Sequence, residues 1–153
     1  MSRQEPSEIV YEVLSRIVRA AGIDAEVVVE ARDGVIYGEL VGSDASSLIG
    51  HHGATLDAVQ QLAQRIAFHG VDQRSPVVVD AAGYRERRAT SLQAIADQAV
   101  AAVLRDGVPI KLEPMSSQER KVVHEYLKGR FEVETYSEGQ EPSRRLVVAP
   151  LGS

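Results

Sequence analysis

Residues 48–60 read LIGHHGATLDAVQ, two glycines bracketing two histidines with an apolar-patterned run directly behind them. Glycine has no β-carbon and accepts positive φ, so a turn bounded by Gly50 and Gly53 lets another backbone approach more closely than alanine would. Residues 54–68 then place Leu56, Val59, Leu62, Ala63 and Ile66 on one stripe at helical spacing, so the turn opens onto a helix. The first amides of that helix and the positive end of its dipole point into the corner, an arrangement suited to a phosphate. Two glycines also serve as plain punctuation between helices, one capping and the next starting. The elements on either side bear on the choice.

Upstream, SEIVYEVLSRIVRAAG puts Ile9, Val10, Val13, Leu14 and Ile17 at helical spacing, with Gly22 as the stop. AEVVVEARDGVIYGELVG carries two β-branched runs around Asp33-Gly34, a strong hairpin signal. SDASSLIG predicts a short helical turn that Ser43 or Asp44 caps, and SPVVVD at 75–80 predicts a third strand. The order α-β-β-α-α-β, with Gly-x-x-Gly between its two central helices, resembles a type II KH domain. Loops of that kind clamp the backbone of about four nucleotides of single strand. They usually carry a Lys or Arg between the glycines, whereas His51 and His52 gain charge only just below neutrality. RNA affinity is therefore expected to rise as pH falls from about 7.5 to 6.

From Tyr84 to about Arg105, Leu92, Ala96, Ala99, Val100, Val103 and Leu104 predict a long amphipathic helix that DGVP ends. IKLEPM reads as a strand and SSQERKVVHEYLKGR as a helix opened by a Ser116–Glu119 capping box, with Val123, Tyr126 and Leu127 facing inward. FEVETYS and RRLVVAP are two further strands joined by EGQEP. The expected fold class is α+β, with a first domain over 1–82, a connecting helix over 83–106 and a small β-α-β-β domain over 107–150. The closing LGS is assigned no role. On the 116–128 helix Arg120 and His124 lie four apart and share a face, with Lys121 and Lys128 on its flank. Periodicity alone favours a solvated face balanced by Glu125. A binding face would instead set the Arg120 fork on phosphate and the His124 ring beside a base. Strand residues alternate faces, so at most one of Arg144 and Arg145 extends that surface, and Arg145 is taken as the candidate.

With 44% hydrophobic and 25% charged residues the chain has the makings of a globular core, and without cysteine it forms neither a disulfide nor a thiolate metal site. No leader-like apolar segment or membrane-length run is seen, so a soluble, cytoplasmic protein is expected. A net charge of −5 argues against indiscriminate polyanion binding. The deficit is uneven: residues 1–106 carry 10 Lys+Arg against 15 Asp+Glu, and residues 107–153 carry 7 against 7. His51, His52, His69 and His124 lack a ligand-spacing signature, so no metal and no cofactor are expected. A hydrolase using His124 with Glu125 or Glu119 is the enzymatic alternative. No Ser/His/Asp order, paired-carboxylate motif or P-loop supports it, and no catalytic residue is expected.

The Arg120-x-x-x-His124 pair resembles the R3H domain. Taken together, LIGHHGATLDAVQ, GYRERR, LEPM, ERKVVH and SEGQEPSRRLVV in this order resemble the bacterial Jag family, the SpoIIIJ-associated KH–R3H RNA-binding proteins. That resemblance covers nearly the whole chain. It implies single-stranded RNA as the ligand, with single-stranded DNA a further possibility, and a small KH-only protein as partner. It also implies post-transcriptional regulation of cell elongation and division, with cell shape and the cell wall as the readout. Gly50, His51, His52 and Gly53 match the KH loop, and Arg120 and His124 match the R3H signature. Ile49 and Leu56 stand beside the loop as groove-lining apolar residues, or else as core. Arg85, Arg87 and Arg88 open the long helix, where cations oppose the dipole unless Glu86 or nucleic acid compensates them. Many relatives carry an additional N-terminal Jag domain. This chain begins close to the KH helix, which puts in doubt here any function seated in that domain, membrane-linked recruitment included. An alternative with little RNA affinity is a protein-interaction adapter in a cell-envelope or division complex. Gly50→Asp with Gly53→Asp is expected to repel RNA while leaving the fold intact.

Overall fold

A computed structural model describes residues 2–152; Met1 and Ser153, the last residue of the LGS end, lie outside the described residues. The chain is α+β and divides into two compact units, one through Glu86 and one from Arg87.

In the first unit, α1 (Pro6–Ala21) starts on a proline whose fixed φ suits a first turn, and it stops where Gly22 adopts φ 68°. Strands β1 (Glu26–Arg32) and β2 (Val35–Val41) form the expected hairpin, with Asp33 at φ 51° and Gly34 at φ 76° between them. The strand β3 (Val77–Ala81) adds in parallel to β2, giving the sheet order β1-β2-β3. One face of this sheet packs on α1 and on α2 (Ala54–Ala67), through Val10, Leu14, Leu40, Leu56, Ala63 and Val79. The short helix expected before the loop is a single 3-10 turn, Ala45–Leu48. Asp44 precedes it without capping it, because its carboxylate accepts from the Asp24 amide at 2.8 Å instead.

In the second unit, α3 (Tyr84–Asp106) opens in the first unit's last residues. Its Leu92, Ala96, Ala99, Val100 and Val103 then build a core with Leu112, Val123, Leu127, Leu146 and Val148. The predicted IKLEPM strand shortens to β4 (Ile110–Lys111). It is followed by α4 (Ser117–Leu127), β5 (Val133–Glu138) and β6 (Arg145–Pro150), in an antiparallel sheet of order β4-β6-β5. Ser116 caps α4 by accepting from the Glu119 amide at 3.2 Å. The Glu119 carboxylate takes Arg88 at 2.7 Å, an ion pair in which both side chains are mostly buried. Among the described residues no helix is long and apolar enough to cross a membrane.

Candidate nucleic-acid interface

The Gly-x-x-Gly corner owes its glycines to the chain's own packing. Gly50 sits at φ 74° and Gly53 at φ 82°, with His52 at φ 52° between them. A β-carbon on Gly50 would meet the Thr55 amide nitrogen at 2.8 Å, and one on Gly53 would meet Tyr84 Cε1 at 2.7 Å. Left-handed backbone and internal crowding therefore each disfavour a side chain at these two positions before any ligand is considered. The amides also turn inward. Gly53 N–H donates to Gly50 O at 3.3 Å, Leu56 N–H donates to Ile49 O at 3.2 Å, and the Ala54 amide donates to the His51 carbonyl. The expected cradle of unpaired amides is thereby corrected: three are satisfied within the turn.

What the loop presents outward is its histidines. His51 is exposed and His52 partly so, with ring centroids 3.9 Å apart. Ile49 is half-buried on the edge of the core. Leu56 is fully buried and lines no groove, so the expectation for it is corrected to core, because position 56 falls on the α2 stripe that packs beneath the sheet.

Arg85 is also accounted for inside the fold. Its Nε donates to Val79 O at 2.7 Å, its Nη1 to Asp57 at 2.9 Å and its Nη2 to Gln60 at 2.9 Å. It joins α2, β3 and the start of α3 rather than facing a phosphate. Arg88 is committed to Glu119. Arg87 is exposed, and its carbonyl accepts from the Ser91 hydroxyl at 3.0 Å.

The second unit carries an open groove of about 400 Å³ between α4 and the β5–β6 hairpin. One wall is α4, where Ser117, Lys121 and His124 stand at spacings of four and three on one side of the helix, with the buried Arg120 beneath them. The other holds Thr135, Tyr136, Ser137 and Arg144. His124 Nδ1 is hydrogen-bonded to Thr135 Oγ1, which ties the ring across the groove. Tyr136 also borders the groove and is 46% exposed. Besides the buried Arg120, two cations, two aromatic rings and four hydroxyls thus border one cleft, the combination with which a strand's phosphates, base faces and base edges are held.

Arg120, expected to reach phosphate, is instead buried. Its Nη1 donates to Met115 O at 2.8 Å and to Arg144 O at 3.4 Å, and its Nη2 pairs with Glu141 at 2.7 Å. The helical periodicity places position 120 with Val123 and Leu127 on the buried stripe, so Arg120 borders the floor of the groove while its guanidinium is spent on the protein. Lys128, at the C-cap, lies beyond the groove lining. Arg144, not Arg145, joins the groove: Leu146 points into the core beside α4, and Arg144, two residues earlier, shares its face.

Residues 90–150 match the R3H domain family. The RNA-binding protein KhpB of Lactiplantibacillus plantarum is 36% identical over 138 residues, which are 90% of this chain and 43% of that protein. The RNA-binding protein KhpB of Bacillus subtilis is 34% identical over 138 residues, 89% of this chain and 66% of that protein. That of Streptococcus pneumoniae D39 is 37% identical over 106 residues, 69% of this chain and 32% of that protein. The chain belongs to the KhpB, or Jag, family.

The chain thus spans less than two thirds of these KhpB proteins' length. Within the R3H match, Ser117, Thr135, Tyr136, Ser137 and Arg144 are polar groove residues that reading the family signature alone leaves out. Tyr136 carried a signal in the sequence, as an aromatic in a strand otherwise rich in Glu, Thr and Ser. Among the described residues no three His, Asp or Glu side chains are grouped so as to hold a metal ion.

Proposed function

We propose that this chain binds single-stranded RNA, with the α4–hairpin groove as its principal contact surface. The observation that carries this reading is the convergence of Lys121, His124, Tyr136 and Arg144 on one open cleft. The names of its KhpB relatives, RNA-binding proteins, support the same ligand. Lys121 and Arg144 meet phosphates, Tyr136 and His124 take base faces, and Ser117, Thr135 and Ser137 meet sugar and base edges. Single-stranded DNA offers the same phosphates and base faces, so selectivity rests on contacts to the 2′-hydroxyl.

The first unit acts as a type II KH domain and adds a second, weaker contact through Gly50, His51, His52 and Gly53. Charge supports this ranking. Residues 1–86 carry 7 Lys+Arg against 13 Asp+Glu, whereas residues 87–153 carry 10 against 9. Tethering the two sites raises overall affinity through effective concentration. The protein works in the cytoplasm, without catalysing a reaction, in post-transcriptional control of elongation and division, together with a small KH-only protein.

The adapter alternative draws on one feature of the first unit. Val28 is 52% exposed and Val41 45% exposed on the sheet's outer face, among Glu26, Glu30 and Glu39. Cross-linking in cells followed by sequencing of the recovered RNA separates the two. RNA-binding activity yields defined transcripts that vanish when Lys121, Tyr136 and Arg144 become alanine. Background RNA alone, recovered equally from that variant, contradicts the proposal.

A further inference from the structure

We infer that Arg120 is a positioning residue, whose guanidinium fixes the 139–144 turn and so sets Arg144 in the groove without touching RNA. The inference rests on the RNA reading for its consequence, though not for its geometry.

A residue that grips phosphate keeps its charge at the surface, but the Arg120 side chain is only 9% exposed. Both its Nη nitrogens donate to the protein, although the residue borders the groove. Met115 lies in the segment before α4, while Glu141 and Arg144 belong to the link between β5 and β6, so one planar fork joins three pieces of chain. The Arg144 carbonyl is the hub, because it also accepts the Met115 amide at 3.3 Å. The turn is braced in addition by Ser143 N–H to Gln140 O at 2.8 Å, and by the Arg144 guanidinium, which reaches back to Gly139 O at 2.6 Å. Arg144 therefore enters the groove from a turn whose position Arg120 dictates. Charge-assisted bonds from a rigid fork are what such a clamp requires, and lysine offers no equivalent.

The two roles for Arg120 predict opposite signs at Glu141. If Arg120 contacted RNA, deleting Glu141 would free a cation and remove a repelling carboxylate, so binding would tighten. If Arg120 is a clamp, deleting Glu141 loosens the turn and binding weakens. Glu141 is the position to change because its side chain is 58% exposed and its truncation leaves no cavity, whereas truncating Arg120 itself endangers the fold.

The test uses the whole chain, a labelled oligouridylate, and the variants Glu141→Ala, Arg144→Ala and their combination, all below their unfolding transitions. Amide exchange at Met115 and Ser143 in the free protein is expected to speed up in Glu141→Ala, while exchange at Val123 stays slow. Affinity for the oligonucleotide is expected to fall roughly threefold to tenfold, with no further fall when Glu141→Ala is added to Arg144→Ala. Tighter binding by Glu141→Ala, unchanged exchange at Met115, or additive losses would each overturn the inference. Should the parent bind no oligonucleotide or cellular RNA, the proposed function fails, and the exchange at Met115 and Ser143 alone decides whether Arg120 holds the turn.

Discussion

The Tyr84 ring packs on Gly53: a β-carbon at position 53 would lie 2.7 Å from Tyr84 Cε1 and 3.3 Å from its Cζ. The first residue of α3 thus closes over the last glycine of the loop, and Gly53 is buried. Gly53→Ala must both force alanine to φ 82° and push the ring aside. A loss of about 2 kcal/mol is expected from the left-handed strain and the displaced ring together. Urea unfolding followed by circular dichroism measures it. The same geometry revises the paired Gly→Asp substitution, which is expected to destabilise the first unit rather than leave it intact.

Arg85→Met removes the donors that tie Val79, Asp57 and Gln60 together. Stability should fall by about 2 kcal/mol, as for hydrogen bonds involving charged groups, while RNA affinity of the folded protein stays at the parent's value. Weaker binding with unchanged stability would assign Arg85 to RNA after all.

Leu56→Ala opens a hole in the first core, since Leu56 is 0% exposed. The expected loss is about 3 kcal/mol, read from the shift of the urea midpoint at constant slope. A groove-lining Leu56 would give a near-neutral midpoint and a change in binding.

Glu119→Gln separates two roles that the sequence merges. The Glu119 amide serves the Ser116 cap, and its carboxylate serves Arg88. Losing the charge should cost about 2 kcal/mol, between the values for an exposed and a fully buried pair. Ser116→Ala should cost about 1 kcal/mol through the cap alone. Thermal unfolding of the two variants and their combination gives both values.

The order of elements was legible because each depends on local signals: apolar spacing for α1 and α2, Asp33-Gly34 for the hairpin, and Ser116 for the start of α4. The faces of the second unit were harder to read. Arg120 and His124 are four apart and look equivalent on a helical wheel, yet the buried stripe runs through Arg120, Val123 and Leu127, leaving Lys121 and His124 outside. Nothing local reveals that the Glu141 carboxylate and the Arg144 carbonyl await Arg120, because the sheet brings both there from more than 20 positions away. Choosing between Arg144 and Arg145 needed the β5–β6 register, which pairs Ser137 with Leu146. Gly53 was read as room for a ligand, because Tyr84 lies 31 positions away in the sequence. The 3-10 form of Ala45–Leu48 escaped notice since Asp44 is drawn off to the Asp24 amide.

The most direct test of the central claim is the salt dependence of single-stranded RNA binding by the parent and by the Lys121→Ala/Tyr136→Ala/Arg144→Ala variant. Losing two phosphate contacts should lower the slope of log K against log salt by about 1.4, and losing the stacking ring should remove a further 1–3 kcal/mol, roughly, at any one salt concentration. A folded triple variant with the parent's affinity and slope would contradict the groove as the RNA site.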